Sequence, residues 1–298
     1  MEITAKMVKE LREKTNAGMM DCKKALTESD GDMEKAKDWL REHGLATVSK
    51  RAGREAREGV VVSALSEDKK TGAILEFNTE TDFVAKLESF MKIATNMVRS
   101  LVATTNPPAT PEALLNSACP ECGRLFSELI TNNTATTGEK SELRRFDVLS
   151  APGKAFAHAY NHAGNKLSVM VILETEKDAP QADTAAHDMA MQIAAANPLV
   201  ISREHLPPET IERERNIYLE IVKQSGKPEK IWDKIVEGQF QKFYKETVLL
   251  DQDFIREPKL SVRAFLDTFK ETLGKITIHS FIRYQLAEEL VKTGDVEL

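Results

Sequence analysis

The chain has 298 residues, 30% of them charged and 41% hydrophobic, with a formal net charge of −6. That length suits two or three units of ordinary soluble protein, and the acidic balance makes a poor general binder of nucleic acid, which needs a basic face. Three cysteines, Cys22, Cys119 and Cys122, are too few and odd in number for a disulfide framework, so a reducing compartment is expected. The opening Met1-Glu2-Ile3-Thr4-Ala5-Lys6 lacks a basic segment followed by an apolar one, so no secretory signal is expected. No apolar run approaches the ~20 residues of a membrane helix. A cytoplasmic protein without membrane contact is expected.

Residues 1–50 read as three short helices. Thr4 caps the first, with Met7, Val8 and Leu11 as its apolar stripe, and Asn16-Ala17-Gly18 breaks it. The second carries Met19, Met20, Cys22, Ala25 and Leu26 and ends near Asp30-Gly31. Asp32 caps the third, which carries Met33, Ala36, Trp39 and Leu40 and stops before Gly44. So small a bundle has a thin core and rests on a partner or on the rest of the chain. Lys50, Arg51, Arg54 and Arg57, mixed with Glu55 and Glu58, read as a solvated linker or helix end.

Val60 to Val62 and Ala73 to Phe77 read as strands around a turn at 68–72. A long helix follows, capped by Thr79 or Thr81, with Val84, Leu87, Met91, Ala94, Val98 and Leu101 at helical spacing. Phe156 to Tyr160, Leu167 to Leu173 and a helix through Ala186, Met189, Ala190, Ile193 and Ala194 repeat that plan. Two copies suggest a duplicated α+β core with antiparallel sheets, one subdomain at 59–145 and the other at 146–206 with 247–298. Between the copies, helices are plausible from Pro111 to Ser117 and from Arg124 to Ile130, with Asn132 to Gly138 as loop.

Residues 207–246 read as a protruding antiparallel coiled-coil hairpin. Pro207-Pro208-Glu209 starts one helix and Lys227-Pro228-Glu229 the other. Ile211, Tyr218, Ile221 and Val222 face Ile231, Ile235, Phe240 and Phe243 along one thin seam. A short C-terminal module closes the chain, with a helix from Val262 to Phe269 and a strand from Ile276 to Tyr284.

Several strings together resemble the elongation factor Ts family over nearly the whole chain. They are Glu2-Ile3-Thr4-Ala5 with Val8 to Arg12, Gly18 to Leu26, Thr81-Asp82-Phe83-Val84-Ala85, Gln224 to Pro228 with Ile231 to Phe243, and Ile282-Arg283-Tyr284. The departures lie mostly in 104–136, where Cys119-Pro120-Glu121-Cys122 has no family counterpart; similarity resumes at Gly138-Glu139 and Arg144-Arg145-Phe146.

The resemblance implies a non-catalytic guanine-nucleotide exchange factor that needs no cofactor and no metal of its own. It would bind elongation factor Tu in its GDP-bound and nucleotide-free forms, without contacting nucleic acid. It implies that Thr81, Asp82, Phe83 and Val84 enter the partner's GTPase domain and help to dislodge Mg²⁺. The helical spacing puts Val84 on the core stripe and leaves Phe83 off it; the bland alternative makes both core and Asp82 a cap.

The N-terminal bundle, similar to ubiquitin-associated folds, would dock on the same domain through Met19 and Met20, with Arg12 and Lys23 nearby. Two adjacent methionines cannot both face inward on one stripe, so at least one is exposed, which suits adaptable contacts. His162, in the turn of the second repeat, corresponds to a family histidine that touches the partner, although the family's basic residue two positions later is replaced by Gly164-Asn165. Two rival readings are an enzyme or metalloprotein built on Cys119 and Cys122, and a pure adaptor.

Overall fold

The computed structural model describes residues 3–15, 17–51 and 53–289, without the side chains of 45–50. Met1, Glu2, Asn16, the Lys50 side chain and the end of the C-terminal module lie outside the described residues.

Helices α1 (Ala5–Thr15), α2 (Met19–Glu28) and α3 (Met33–Arg51) form the N-terminal bundle. Thr4 Oγ1 accepts the Met7 N–H at 3.3 Å, and Asp32 Oδ1 accepts those of Glu34 and Lys35, so both expected caps are made. Val8, Leu11, Cys22, Ala25, Leu26 and Ala36 fill the core between them. Helix α3 does not stop before Gly44. A Cβ at Gly44 would lie 3.1 Å from Thr131 Cγ2, so this glycine lets α3 pass close to a later helix. The helix consumes the first part of the expected linker.

Strands β1 (Glu58–Leu65) and β2 (Thr71–Thr79) pair antiparallel, with Val60 opposite Phe77 and Val62 opposite Leu75. The expected long helix is two: a single turn, α4 (Asp82–Ala85), then α5 (Glu88–Ala103). Leu87 is extended and half-exposed between them, so the core stripe of α5 is Phe90, Ile93, Ala94, Met97, Val98 and Leu101. Helix α6 (Pro111–Leu115) is capped by Thr110. Helix α7 (Phe126–Thr137) runs on through Asn132–Thr137, where loop was expected, to a left-handed Gly138 at φ 70°. Its polar residues are poor helix formers in isolation, but Asn133 is buried and donates to Ser141 Oγ at 3.0 Å, and packing overrides the propensity. Strand β3 (Ser141–Ser150), absent from the sequence reading, completes a three-stranded sheet on β2.

The second unit repeats the first. Strands β4 (Phe156–Asn161) and β5 (Leu167–Thr175) form a hairpin, and α8 (Gln181–Ala196) packs on it. Next come α9 (Pro208–Gln224) and α10 (Trp232–Thr247), packed along Val222, Val236 and Phe240, with Ile211 near the start of one against Phe243 near the end of the other. The small β6 (Asp253–Phe254) and β7 (Glu257–Ser261) pair lies beside α11 (Val262–Asp267) and α12 (Lys270–Leu273). Strand β8 (Ile276–Gln285) then joins β5 as the third strand. Each central strand carries one register shift at the equivalent place, Glu76/Phe77 in β2 and Ile172/Leu173 in β5, which supports the reading of a duplication.

The layers run helix, sheet, sheet, helix. Val60, Val62, Leu75 and Phe77 face α5; Val61 and Ile74 face Met170 and Tyr284 of the second sheet; Val169, Val171 and Leu173 face α8. Strand β2 is therefore buried on both faces, its apolar Ala73, Ile74, Leu75 and Phe77 interrupted by the buried Glu76. On α8, Ala185, Ala186 and Ala190 are buried and bring the helix close to its sheet.

Among the described residues, no helix is long and apolar enough to cross a membrane. No group of three or more His, Cys, Asp or Glu there is placed to hold a metal. All three cysteines are free, Cys22 and Cys119 buried and Cys122 exposed. Burial also pushes the Cys22 thiol up. A thiol reagent is expected to consume one equivalent in the native protein, at Cys122, and all three after unfolding. Protection of Cys122 together with bound zinc in the purified protein would revive the metalloprotein reading.

Candidate functional site: an exposed aromatic on a braced helical turn

At the end of β2 the chain must turn sharply into α4. Thr81 is the N-cap: its backbone is extended, and its Oγ1 faces the Val84 N–H at 3.5 Å. The capping side chain is thus Thr81, neither Thr79 nor Asp82. Asp82 is the first helical residue, and its carboxylate takes Lys86 Nζ at 2.6 Å, one turn on. That hydrogen bond is the main reason its carboxyl sits below the usual carboxylate range.

Val84 points into the first core, 7% exposed, and Ala85 is buried beside it. Phe83, on the opposite side of the same turn, is 78% exposed. The ring therefore adds little to the core and stands free in solvent on a well-formed turn. The single turn is too short to be stable alone. Glu139, from the segment after α7, accepts from Thr81 N at 3.0 Å and from Thr81 Oγ1 at 2.8 Å.

His162 lies in the β4–β5 turn, exposed, with its Nδ1 2.8 Å from the Tyr160 hydroxyl. That turn is held to the first sheet by Val61 N donating to Asn165 O at 2.7 Å. Lys166, at the end of the turn, pairs with Glu58 on β1 and acts electrostatically on Asp82. The turn that carries His162 and the turn that carries Phe83 therefore share one edge of the core. Two positions after His162 stands Gly164, and the first basic residue after the turn is Lys166.

Met19 and Met20 head α2, and both are exposed, at 60% and 74%. Of the two alternatives left open by the helical spacing, neither methionine is core. Arg12 and Met19 line a cleft between the bundle and α5, together with Lys92, Asn96 and Cys122, while Lys23 is exposed further along α2. The N-terminal set is thus carried by the bundle, with Arg12 and Met19 facing Ser89 and Lys92 near the start of α5.

Two residues of the site were invisible in the sequence. Glu139 stood out only as the place where similarity resumes, and Lys166 not at all. Both act through partners distant in the chain, for which a single sequence carries no signal.

The profile of the family described as Elongation factor TS matches residues 80–288. Elongation factor Ts of Clostridium botulinum (strain Loch Maree / Type A3) is 42% identical over 291 residues, spanning 97% of this chain and 94% of that protein. The chain belongs to the elongation factor Ts family. Elongation factor Ts of Clostridium botulinum (strain Eklund 17B / Type B) is 43% identical over 294 residues, spanning 98% and 96%. Membership places this chain in translation, as a protein of the elongation stage of protein biosynthesis. The match includes the segment 81–84 and the β4–β5 turn, and the full-length relatives extend it over the N-terminal bundle.

Proposed function

We propose that this chain is a guanine-nucleotide exchange factor that binds elongation factor Tu in its GDP form and drives GDP off without a chemical step of its own. The observation that carries the reading is Phe83, exposed on a turn whose base is held by Thr81 and Glu139 and whose other face is anchored by Val84. In a GTPase, GDP is retained by the phosphate-binding loop and by Mg²⁺ bridging protein to phosphate. A rigid aromatic inserted beside those elements displaces them. A factor that binds the nucleotide-free partner better than the GDP form weakens GDP binding by the same ratio, because linkage is reciprocal.

In this reading Phe83 is the wedge and helps to dislodge the partner's Mg²⁺. Asp82, already ionised, offers a hydrogen-bond acceptor once Lys86 moves aside. Thr81 and Val84 hold the turn. His162, oriented by Tyr160, touches the partner along the same edge. Met19 and Met20, with Arg12 and Lys23, dock the bundle on a second face, where two flexible thioethers adapt to the partner surface. The work is done in the cytoplasm.

The deciding experiment is release of a fluorescent GDP from cognate elongation factor Tu. Substoichiometric amounts of this protein are expected to accelerate release, and the protein alone is expected to retain no nucleotide. An unchanged release rate would leave the adaptor reading in its place.

A further inference from the structure

A four-residue turn bearing an exposed phenyl ring holds its shape only with support from outside itself. Its cap hydroxyl has one proton and two lone pairs. Glu139 takes the proton, with Oε1 at 2.8 Å and Oε2 at 3.0 Å from Thr81 Oγ1, which leaves a lone pair aimed at the Val84 N–H. Glu139 Oε2 also accepts the Thr81 N–H at 3.0 Å and lies 3.4 Å from Thr79 Oγ1. Glu139 is itself fixed: it follows the left-handed Gly138 that ends α7, and its own N–H donates to Thr137 Oγ1 at 3.2 Å.

A reciprocal link runs alongside. Lys140 N donates to Glu80 Oε1 at 2.7 Å, and Glu80 also receives Arg51 Nη1 at 3.2 Å and Arg54 Nη1 at 2.9 Å. Residues 79–81 and 139–140 are thus stitched together in both directions, with the end of α3 attached. Asp82 and Phe83 extend from that seam with few contacts of their own.

We propose that Glu139 is a positioning residue for Phe83: its carboxylate sets the Thr81 cap, and through it the direction in which the ring leaves the core. The proposal rests on the exchange-factor reading, and it assigns to Glu139 no contact with the partner.

The test uses the full chain and two variants, Glu139→Ala and Glu139→Gln, each made also in a Phe83→Ala background. Glu139→Ala is expected to lower the maximal GDP-release rate by roughly tenfold in the parent chain, as coupled neighbours do, and by less than about twofold when Phe83 is already gone. Glu139→Gln, which keeps one acceptor oxygen, is expected to recover part of the rate. Equal losses in both backgrounds would overturn the proposal.

Amide hydrogen exchange of the free protein gives a readout independent of activity. Residues 81–86 are expected to lose protection in both Glu139 variants, while β2 and α5 keep theirs. Unchanged protection at 81–86 would also overturn it. Should the parent chain fail to speed GDP release, the exchange-factor reading falls, and the hydrogen-exchange result alone decides whether Glu139 sets the turn.

Discussion

Phe83→Ala is expected to leave the melting temperature of the free protein within about 2 °C of the parent while slowing GDP release from elongation factor Tu by roughly thirtyfold. The ring is 78% exposed, so its removal creates no cavity and withdraws little area from the core. An aromatic anchor buried at an interface is commonly worth about 2 kcal/mol or more, and ~1.4 kcal/mol is a factor of ten. The comparison variant is Phe90→Ala. Phe90 is fully buried and stacked on Phe77 with ring centroids 4.3 Å apart, and truncating such a residue costs about 3–5 kcal/mol of stability. The pair separates the two roles of phenylalanine within one short stretch of chain. A large fall in melting temperature for Phe83→Ala, with release per folded molecule intact, would return Phe83 to the core and remove it from the site.

Glu76→Ala is expected to cost about 3–5 kcal/mol of unfolding free energy, among the largest losses any single substitution produces here. Glu76 lies at the register shift of β2, fully buried, and its carboxylate receives Arg144 Nη1 at 2.8 Å, Arg145 Nε at 2.7 Å and Ala287 N at 2.8 Å. Arg145 in turn lies 3.8 Å from the centroid of the Tyr284 ring and donates to Glu288 at 2.7 Å. One carboxylate therefore joins the first sheet to the end of β8 in the second. Removing it leaves Arg144 and Arg145 without their buried partner and frees the segment after Gln285. Denaturant unfolding of parent and variant measures the loss, and a difference under about 1 kcal/mol would show that water reaches the two arginines readily. Exchange activity per folded molecule is expected to survive, because Glu76 does not touch the turn that carries Phe83.

Much of this protein was decided by its sequence alone. Thr4 and Asp32 cap helices because short oxygen-bearing side chains satisfy the first free N–H groups wherever they precede a helical stripe, and the structure makes both bonds. The strand–turn–strand–helix plan and its repeat followed from apolar runs and helical spacing, and Phe83 was set off the core stripe by the same spacing. These are local matters, settled within a few residues.

Other features were decided by tertiary structure. Helix α3 continues past Gly44, where Thr131 of α7 leaves room for little more than a hydrogen. Helix α7 extends through Asn132–Thr137 because a buried Asn133 finds Ser141. The break at Lys86–Leu87 frees α5 to turn Phe90, rather than Leu87, toward Phe77. Strand β3, with Leu143 flanked by charged residues, is held by its pairing along β2, which also brings Arg144 and Arg145 to Glu76. The brace from Glu139 to Thr81 spans 58 positions of chain. Periodicity reports which face of a segment is buried. It does not report what lies across from it, and each of these features is a bond or a close approach between segments that only the folded chain brings together.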